Sequence, residues 1–451
     1  MNQRIQQFFH PDLTSGHIFS SLLAFAVPLM FSQLFQQLYN TTDTIIIGHY
    51  LGEQSLASIG ACASIYELLV GFGTGFGNGL GIVAARAYGA CDVQQLKKIV
   101  AASFIITSCI TIFIMLTGQI ALKPLLQLLG TPKEIIDQAY SYIHLISIFC
   151  GVLFSYNLLS GLLRAIGNSV MPLIFLVISS LLNIGLDILL ITQLGLGIRG
   201  TAIATVLAQG ISAILCFAYI LKNTTILIPQ KKHFKIEGSI YRNLIGQGLS
   251  MALMSALVSS GSVILQSSIN GFGTLVLAGH ISARKIFAIS IIPLLMMGTA
   301  SATFVSQNLG AGHIDRVKKG VIIADLLCIC WAVLCCATIP FASRTLIQAV
   351  SDSSNPEVLA YGSKYITFMQ PFYLALGVLF VTRNSLQGLG SKILPLFSSI
   401  IELVGKILFT LFIIPYTGTW GIIMCEPLIW VAMTIQLVLV YFRHPVFKSQ
   451  N

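Results

Sequence analysis

The chain has 451 residues, of which 55% are hydrophobic and only 9% charged, and its mean hydropathy is +0.87. Soluble domains carry about 25% charged residues, so this composition excludes a soluble globular protein and indicates an integral membrane protein. The net charge of +10 lies mostly in short segments between apolar runs, which argues against a nucleic-acid-binding protein.

Twelve apolar runs are each long enough to span a bilayer as a helix, which needs about 20 residues. They are continuously apolar rather than alternating, so we expect an all-α polytopic membrane protein and not a β-barrel. The predicted spans are 18–47, 55–84, 99–122, 135–159, 171–191, 201–220, 244–268, 275–305, 320–340, 365–381, 394–414 and 421–441.

The basic residues alternate in number between the two sides of the predicted spans. With the N-terminus inside, 17 of the 25 Lys and Arg residues fall on the inner side and five on the outer side; the other three lie within spans. Because Lys and Arg are enriched in cytoplasmic loops, both termini are predicted to be cytoplasmic. Polar residues precede the first span and no cleavage site follows it, so we expect this span to be retained rather than removed as a signal peptide.

The second half of the chain repeats the first. Residues 163–173 match 386–396 at an offset of 223, and residues 86–98 match 307–319 at an offset of 221. Each repeat holds six spans, an even number, so the two halves have the same orientation in the membrane. We expect an N-terminal lobe over 1–221, a basic cytoplasmic linker over 222–243 and a C-terminal lobe over 244–451, with substrate between the lobes.

Two aspartates lie inside apolar spans, where an ionisable group is costly and is by default a functional-site hypothesis. Asp43 lies about one turn before the outer end of span 1, and Asp187 about one turn before the outer end of span 5. Asn183 is one turn deeper on the same face as Asp187, and Thr205 lies at a similar depth in span 6. Together these side chains provide hard oxygen ligands suited to Na⁺, and the close carboxylates also suit proton uptake. The alternative is that each polar group is satisfied separately by its own neighbours.

Span 1 carries further polar side chains and a proline. Gln36, Tyr39 and Asn40 favour a wet, substrate-binding lumen, although hydrogen bonding between helices explains each of them equally well. Pro28 removes a backbone hydrogen bond, and we expect a conformational hinge there.

Six glycines alternate with other residues between Gly71 and Gly81 in span 2. Their strict spacing of two does not fit a phosphate-binding G-x-G-x-x-G loop. It does give two interleaved G-x-x-x-G registers, which predict close packing against neighbouring helices or a bend.

In the second half, Glu402 and Lys406 form an i,i+4 pair in span 11, and Arg284 lies at comparable depth in span 8 beside Lys285. These residues either form an internal salt bridge or line the substrate cavity. Glu426 is a further polar residue within a span. No protease or ATPase motif is present, so we expect no enzyme and no cofactor.

Taken in order, several of these segments resemble the multidrug and toxin extrusion (MATE) family over essentially the whole chain. The segments that carry the resemblance are Tyr39–Gly48 with Leu51-Gly52, Tyr88-Gly-Ala90, Leu309-Gly-Ala-Gly312, Leu163-Arg-Ala-Ile-Gly167 with Pro172, and Asn183-x-x-x-Asp187.

The resemblance implies two six-helix lobes in a V and export of organic cations in exchange for H⁺ or Na⁺. It also implies a cation site in the N-terminal lobe, and Asp43, Asn183, Asp187 and Thr205 match that site. The NorM-like branch of the family has acidic residues in helices 7 and 10, whereas spans 7 and 10 of this chain contain none. The chain is therefore more similar to the DinF-like branch, and a C-lobe cation site is not expected.

Three functional hypotheses remain open from the sequence. The first is an H⁺- or Na⁺-coupled antiporter for organic cations, monomeric, in the bacterial cytoplasmic (inner) membrane and in contact with its lipids. The second is a flippase for lipid-linked precursors on the same scaffold, which would need a cavity rich in Arg and Lys. The third is a membrane enzyme, for which no catalytic set is present.

Overall fold

A computed structural model of the chain describes residues 12–448, which are almost entirely helical. The helices of the first half are α1 (Ile18–Gly89), α2 (Val93–Leu128), α3 (Ile136–Ile148), α4 (Cys150–Ala165), α5 (Val170–Ile188) and α6 (Gly197–Asn223). Those of the second half are α7 (Gly238–Asn270), α8 (Thr274–Ser290), α9 (Ile292–Gly310), α10 (Ile314–Ser351), α11 (Pro356–Met369), α12 (Tyr373–Gly388), α13 (Ile393–Leu408), α14 (Ile414–Thr417), α15 (Thr419–Phe442) and α16 (Pro445–Lys448). No strand is present in this range.

Helix α1 contains two of the predicted spans. Its 72 residues would extend about 108 Å at 1.5 Å per residue, far more than one bilayer crossing of about 30 Å. The helical conformation is broken at Gly52, where φ is 77° and ψ is −178°. This left-handed φ is readily adopted by glycine because it lacks a Cβ. The break lies between predicted spans 1 and 2, as the apolar pattern requires.

The number of spans agrees with the sequence prediction. By length and hydropathy, the described residues contain nine candidate spans, or eleven when each of two bent helix pairs, α3 with α4 and α8 with α9, is taken as one span. Because α1 accounts for two spans, the total is twelve. The prediction of an all-α polytopic protein with twelve transmembrane helices is confirmed.

The described residues form two compact units. One holds Val27–Ala252, and the other holds Leu13–Ala26 together with residues 253–448. The second unit thus includes the start of α1. The boundary between the two units lies between Ala26 and Val27, next to the buried Pro28. Each unit therefore contains one of the two sequence repeats almost completely, while the predicted lobe boundaries at 221 and 244 stay a prediction.

The two glycine registers of span 2 face two different helices of the first unit. A Cβ built on Gly75 would lie 2.7 Å from the Met251 carbonyl oxygen of α7. A Cβ built on Gly77 would lie 2.8 Å from the Asn157 carbonyl oxygen of α4. One turn later, Gly79 again faces α7 and Gly81 again faces α4. Only glycine allows such close approach of helix backbones, so the prediction of close packing is confirmed.

We expect Gly79→Ala to destabilise the protein by about 1–3 kcal/mol, because overpacking of a close contact has this cost. Its Cβ would lie 2.6 Å from the Gly248 Cα atom and 2.7 Å from the Gln247 carbonyl oxygen, neither of which can move away easily. The measurement is thermal unfolding in detergent. Gly60→Ala in the same helix is the matched control, because nothing lies within 4 Å of its added Cβ. Equal melting temperatures for the two variants would contradict the packing role.

Helices α5 and α13, which occupy equivalent places in the two repeats, both end in a π-helical turn. These turns span Leu189–Gln193 and Phe409–Ile413. Each begins shortly after the polar residues that the sequence singled out, Asp187 in α5 and Lys406 in α13. π-Helical turns are rare and occur frequently at functional sites, so their presence in both repeats directs attention to these two helix segments.

The basic linker is folded against the start of α2. His233 lies in a short 3₁₀ turn, Lys231–Phe234, where its Nδ1 accepts the backbone N–H of Gln230 at 2.8 Å. Its Nε2 lies 2.8 Å from the Gln94 side-chain oxygen. Because Nδ1 accepts a hydrogen bond, the ring proton is on Nε2, which donates a hydrogen bond to the Gln94 side-chain oxygen. Further along, Lys98 and Glu237 form an ion pair at 2.9 Å. These contacts attach the linker to α2.

Candidate functional site

The structure brings together the four residues predicted as a cation site. The Asn183 amide, oriented so that both ends are satisfied, donates to Asp187 Oδ2 at 3.1 Å and to Asp43 Oδ1 at 3.2 Å. Its oxygen accepts from the backbone N–H of Thr205 at 3.2 Å. One amide on α5 thus connects two carboxyl groups from α1 and α5 with the start of α6. The residues that the depth argument grouped are therefore adjacent in the structure, and their role as a cation site stays a prediction.

Three tyrosines lie close to the site. Tyr39, one turn before Asp43, donates its hydroxyl to Thr205 Oγ1 at 3.3 Å. Tyr66 from α1 and Tyr142 from α3 also lie near the carboxyl groups. The sequence did not single out these two tyrosines, because aromatic residues inside spans are common and nothing in their spacing marks them.

The carboxyl groups lack any positive partner among residues 12–448. Asp187 and Asn183 are fully buried, and Asp187 Oδ1 receives no hydrogen bond. The two carboxyl groups lie within hydrogen-bonding reach of each other, and neither forms an ion pair in the described range. No cluster of three His, Cys, Asp or Glu side chains is present there either. An acid pair of this kind needs a proton or a small cation to balance its charge.

A cavity of about 70 Å³ in the first unit borders this site. Asn183 lines it, so the amide that connects the two acids also faces the cavity. Three of the residues predicted to line the substrate cavity are among its walls: Gln36, Tyr39 and Asn40. Tyr66 and Tyr156 add aromatic surface. The other three predicted cavity residues, Arg284, Glu402 and Lys406, lie in the second unit.

In the second unit, four charged side chains form one network. Lys406 Nζ lies 2.9 Å from Glu402 Oε1 and 3.3 Å from Glu426 Oε1. Arg284 Nη1 donates to Glu426 Oε2 at 2.6 Å, and Tyr365 donates to the same oxygen at 3.4 Å. The predicted i,i+4 pair of Glu402 and Lys406 is therefore present. Its connection to Arg284 through Glu426 was not predicted.

The charged network lines a second cavity, of about 180 Å³, together with Arg383. The sequence prediction ended span 10 at residue 381 and counted Arg383 with the residues of the inner side. The structure places Arg383 within α12 (Tyr373–Gly388), with its guanidinium carbon 5.6 Å from the centroid of the Phe380 ring. Lys285, the neighbour of Arg284, is exposed and does not line the cavity.

The two polar sites occupy equivalent positions of the sequence repeat. Lys406 follows Asn183 by 223 residues, the offset that also relates Pro172 to Pro395. Glu426 follows Thr205 by 221 residues, the offset that relates Gly200 to Gly421. The repeat is therefore a second sequence signal for Glu426, in addition to its position within a predicted span.

Comparisons with known proteins agree with this architecture. The MatE family model matches residues 28–189 and 250–412, one segment in each repeat. The "Probable multidrug resistance protein YpnP" of Bacillus subtilis is 27% identical over 382 residues, or 85% of each chain. The "Multidrug export protein MepA" of Staphylococcus saprophyticus is 22% identical over 454 residues, covering 99% of this chain and 98% of that protein.

Solved structures show the same fold. A MOP superfamily transporter from Pyrococcus furiosus superimposes with a TM-score of 0.89 at 23% identity, covering 97% of this chain and 98% of that one. A multidrug resistance MATE family transporter in an outward-facing conformation gives a TM-score of 0.88 at 22% identity, with the same coverage. The family model covers well over half of the residues, and the twelve spans and the repeat agree with it. The chain belongs to the MATE family, whose members are membrane transporters and not enzymes.

Proposed function

We propose that this protein is a cation-coupled antiporter that exports organic cations by alternating access. The observation that supports this most directly is the pair of carboxyl groups of Asp43 and Asp187, connected by Asn183 and without a basic partner among the described residues. Two carboxyl groups held this close favour the uptake of a proton or a small cation, which a coupling site must bind.

The coupling cation is H⁺ or Na⁺. A proton shared between Asp43 and Asp187 would neutralise one of the two charges. A sodium ion would find oxygen ligands in both carboxyl groups and in the Thr205 hydroxyl, and rotation of the Asn183 amide would add a fourth. The protein requires no other cofactor for this cycle.

The cavity next to the site couples ion binding to substrate release. Tyr39 and Asn183 belong to both, so a cation that displaces the amide from the carboxyl groups also changes the wall of the cavity. Asp43 and Pro28 lie on the same helix, 15 residues or about 22 Å apart. In the proposed cycle, the cation enters from outside and binds the acids, α1 rearranges at the Pro28 hinge, and the substrate leaves the cavity. The cation is then released to the cytoplasm.

The substrate class is organic cations of moderate size. The relatives are named for multidrug resistance and multidrug export. Tyr66 and Tyr156 provide aromatic faces that attract cations, and Gln36 and Asn40 provide uncharged hydrogen-bonding groups. A cavity lined in this way can bind many different cations, because these uncharged groups do not require one ion-pair geometry.

The proposed location is the bacterial cytoplasmic (inner) membrane, where the chain acts as a monomer with both termini in the cytoplasm. The distribution of Lys and Arg supports this orientation, and the relatives named above are bacterial. Arg4 and the side chain of Lys448, two of the residues counted on the inner side, lie outside the described residues.

The geometry of the second unit does not favour a flippase for lipid-linked precursors. A pyrophosphate headgroup carries several negative charges and needs several unpaired cations. Two of the basic residues that raised this alternative, Arg284 and Lys406, are paired with Glu426 and Glu402, and the third, Lys285, faces away from the cavity.

Transport into proteoliposomes tests the proposal. Purified protein is reconstituted, ethidium uptake or efflux is followed by fluorescence, and an imposed pH gradient is compared with an imposed Na⁺ gradient. We expect one of the two gradients to drive ethidium against its concentration difference and the other to have no effect. Failure of both gradients, in vesicles whose protein is correctly folded, would contradict cation coupling.

A further inference from the structure

The second unit presents a cavity whose acids are already neutralised. Lys406 stands at the repeat position of Asn183, and its ammonium group lies between Glu402 and Glu426. In the first unit the equivalent position is the amide of Asn183, and no basic side chain of the described residues pairs with the neighbouring Asp43 and Asp187. The cation that the first site must acquire from solution is thus built into the second site as a side chain.

Both carboxylates of this cavity are bonded to a cation, and Glu426 is bonded on both of its oxygens. Glu426 accepts Arg284 and Tyr365 on Oε2 and Lys406 on Oε1. Glu402 accepts Lys406. An organic cation that entered this cavity would have to compete with ammonium and guanidinium groups for the same oxygens, and Lys406 is only 1% exposed.

The charge that remains unbalanced in the cavity is positive. Three cations, Arg284, Arg383 and Lys406, face two carboxylates. Among the described residues Arg383 forms no ion pair, although Glu402 is near enough to interact with it electrostatically. Arg284 remains 35% exposed even though Glu426 occupies one of its nitrogens. Each guanidinium therefore has N–H groups left to donate.

The guanidinium groups of Arg284, which is paired with Glu426, and of Arg383 both lie against aromatic rings. The guanidinium carbon of Arg284 lies 4.9 Å from the centroid of the Phe287 ring, and that of Arg383 lies 5.6 Å from the centroid of the Phe380 ring. Such a cation–π contact holds a guanidinium against a ring, and its remaining N–H groups can bind a carboxylate in a two-point contact. Phe287 in turn stacks on Trp430 at 5.7 Å, and both rings line the cavity.

We infer that the cavity of the second unit binds the anionic group of an aromatic amphiphile that carries one carboxylate, with Arg383 as its principal partner. One excess positive charge matches a single negative charge and not a pyrophosphate. The aromatic part of the ligand would lie against Phe287 and Trp430. This proposal extends the substrate range of the proposed exporter from organic cations to molecules that carry an anionic group, and it rests on that proposed function only for the direction of transport.

Equilibrium binding of two matched fluorescent probes tests this site without any ion gradient. Dansylglycine carries one carboxylate, and dansylcadaverine carries the same fluorophore with an amine. Both are titrated against purified protein in phosphatidylcholine nanodiscs, and empty nanodiscs are used to subtract partition into lipid. Arg383→Gln should weaken dansylglycine binding roughly tenfold, because a charge-assisted hydrogen-bonded pair is lost. Arg383→Lys should recover only part of the lost affinity, because lysine keeps the charge but cannot make the two-point contact, and dansylcadaverine binding should not change.

Two further variants complete the test. Lys285→Gln removes a neighbouring exposed charge and should leave dansylglycine binding unchanged. Glu402→Gln removes an acid and should strengthen dansylglycine binding several-fold, which keeps the proposal testable even if Arg383→Gln does not fold. Unchanged dansylglycine affinity in both Arg383→Gln and Glu402→Gln would overturn the proposal.

The experiment separates this site from the coupling site and from bound lipid. Asp43→Asn should retain dansylglycine binding, so a failure of ion-coupled transport and a failure of anion binding would be seen in different assays. Addition of phosphatidylglycerol to the nanodiscs shows whether a lipid phosphate competes for the same guanidinium groups. Competition that depends on Arg383 would support the anion site with lipid as its occupant, and its absence would support the small carboxylate.

Discussion

Replacement of Asp43 by Asn is expected to abolish substrate movement driven by an ion gradient in proteoliposomes. The amide has the same shape as the carboxyl group but cannot take up a proton, and it leaves a sodium ion with one negative ligand instead of two. Because Asn183 bridges Asp43 and Asp187 at 3.2 and 3.1 Å, the change removes one of the two acids on which coupling depends. The measurement is ethidium flux under the gradient that drives the unmodified protein.

The control for this variant is Glu53→Gln, which changes an exposed acid on the same helix. It should transport at the rate of the unmodified protein. Both variants should show the same thermal unfolding profile as the unmodified protein, because the Asn side chain fits the space of Asp. Undiminished ethidium flux in Asp43→Asn would contradict the proposal that Asp43 couples ion binding to transport.

The second large effect is expected from Lys406→Met. This change leaves Glu402 without its partner in a buried site, where an uncompensated charge costs about 3–5 kcal/mol. Glu402, Glu426 and Lys406 are each less than a tenth exposed, so water cannot replace the lost ammonium group effectively. We expect a lower melting temperature in detergent and a smaller yield of monodisperse protein.

A double variant provides the decisive comparison. Glu402→Gln together with Lys406→Met removes one positive and one negative charge, and Glu426 keeps its contact with Arg284 at 2.6 Å. The double variant should therefore regain most of the stability that Lys406→Met loses. If the double variant were as unstable as the single one, the loss would come from packing of the lysine chain rather than from charge balance.

Much of the architecture could be predicted from the sequence because a bilayer imposes strict conditions on a chain. A span must be apolar and about 20 residues long, and its polar exceptions are therefore visible. Asp43, Asn183 and Asp187 were recognised in this way, and their depth followed from the rise per residue along each helix. The glycine registers of span 2 were recognised because a spacing of four aligns small residues along one helix face.

The network of the second unit could not be read from the sequence in the same way. Glu402 and Lys406 share one helix, so their pairing follows from their spacing. Arg284, Arg383 and Glu426 come from three other helices, and their meeting depends on how those helices rotate and pack. Arg383 also lies beyond the end of the predicted span, because its charge interrupts the apolar run that marks a span.

The sequence by itself determined the class of the protein, the twelve spans, the repeat and the residues whose burial in a membrane is costly, because each of these follows from composition and from periodicity along the chain. Only the tertiary structure decided which costly residues neutralise one another. It brought Lys406 between two acids in one unit and left Asp43 and Asp187 without a basic partner in the other, among the described residues. The physical reason is that charge balance in a medium of low polarity depends on distances of a few ångströms between different helices, and the sequence does not contain those distances.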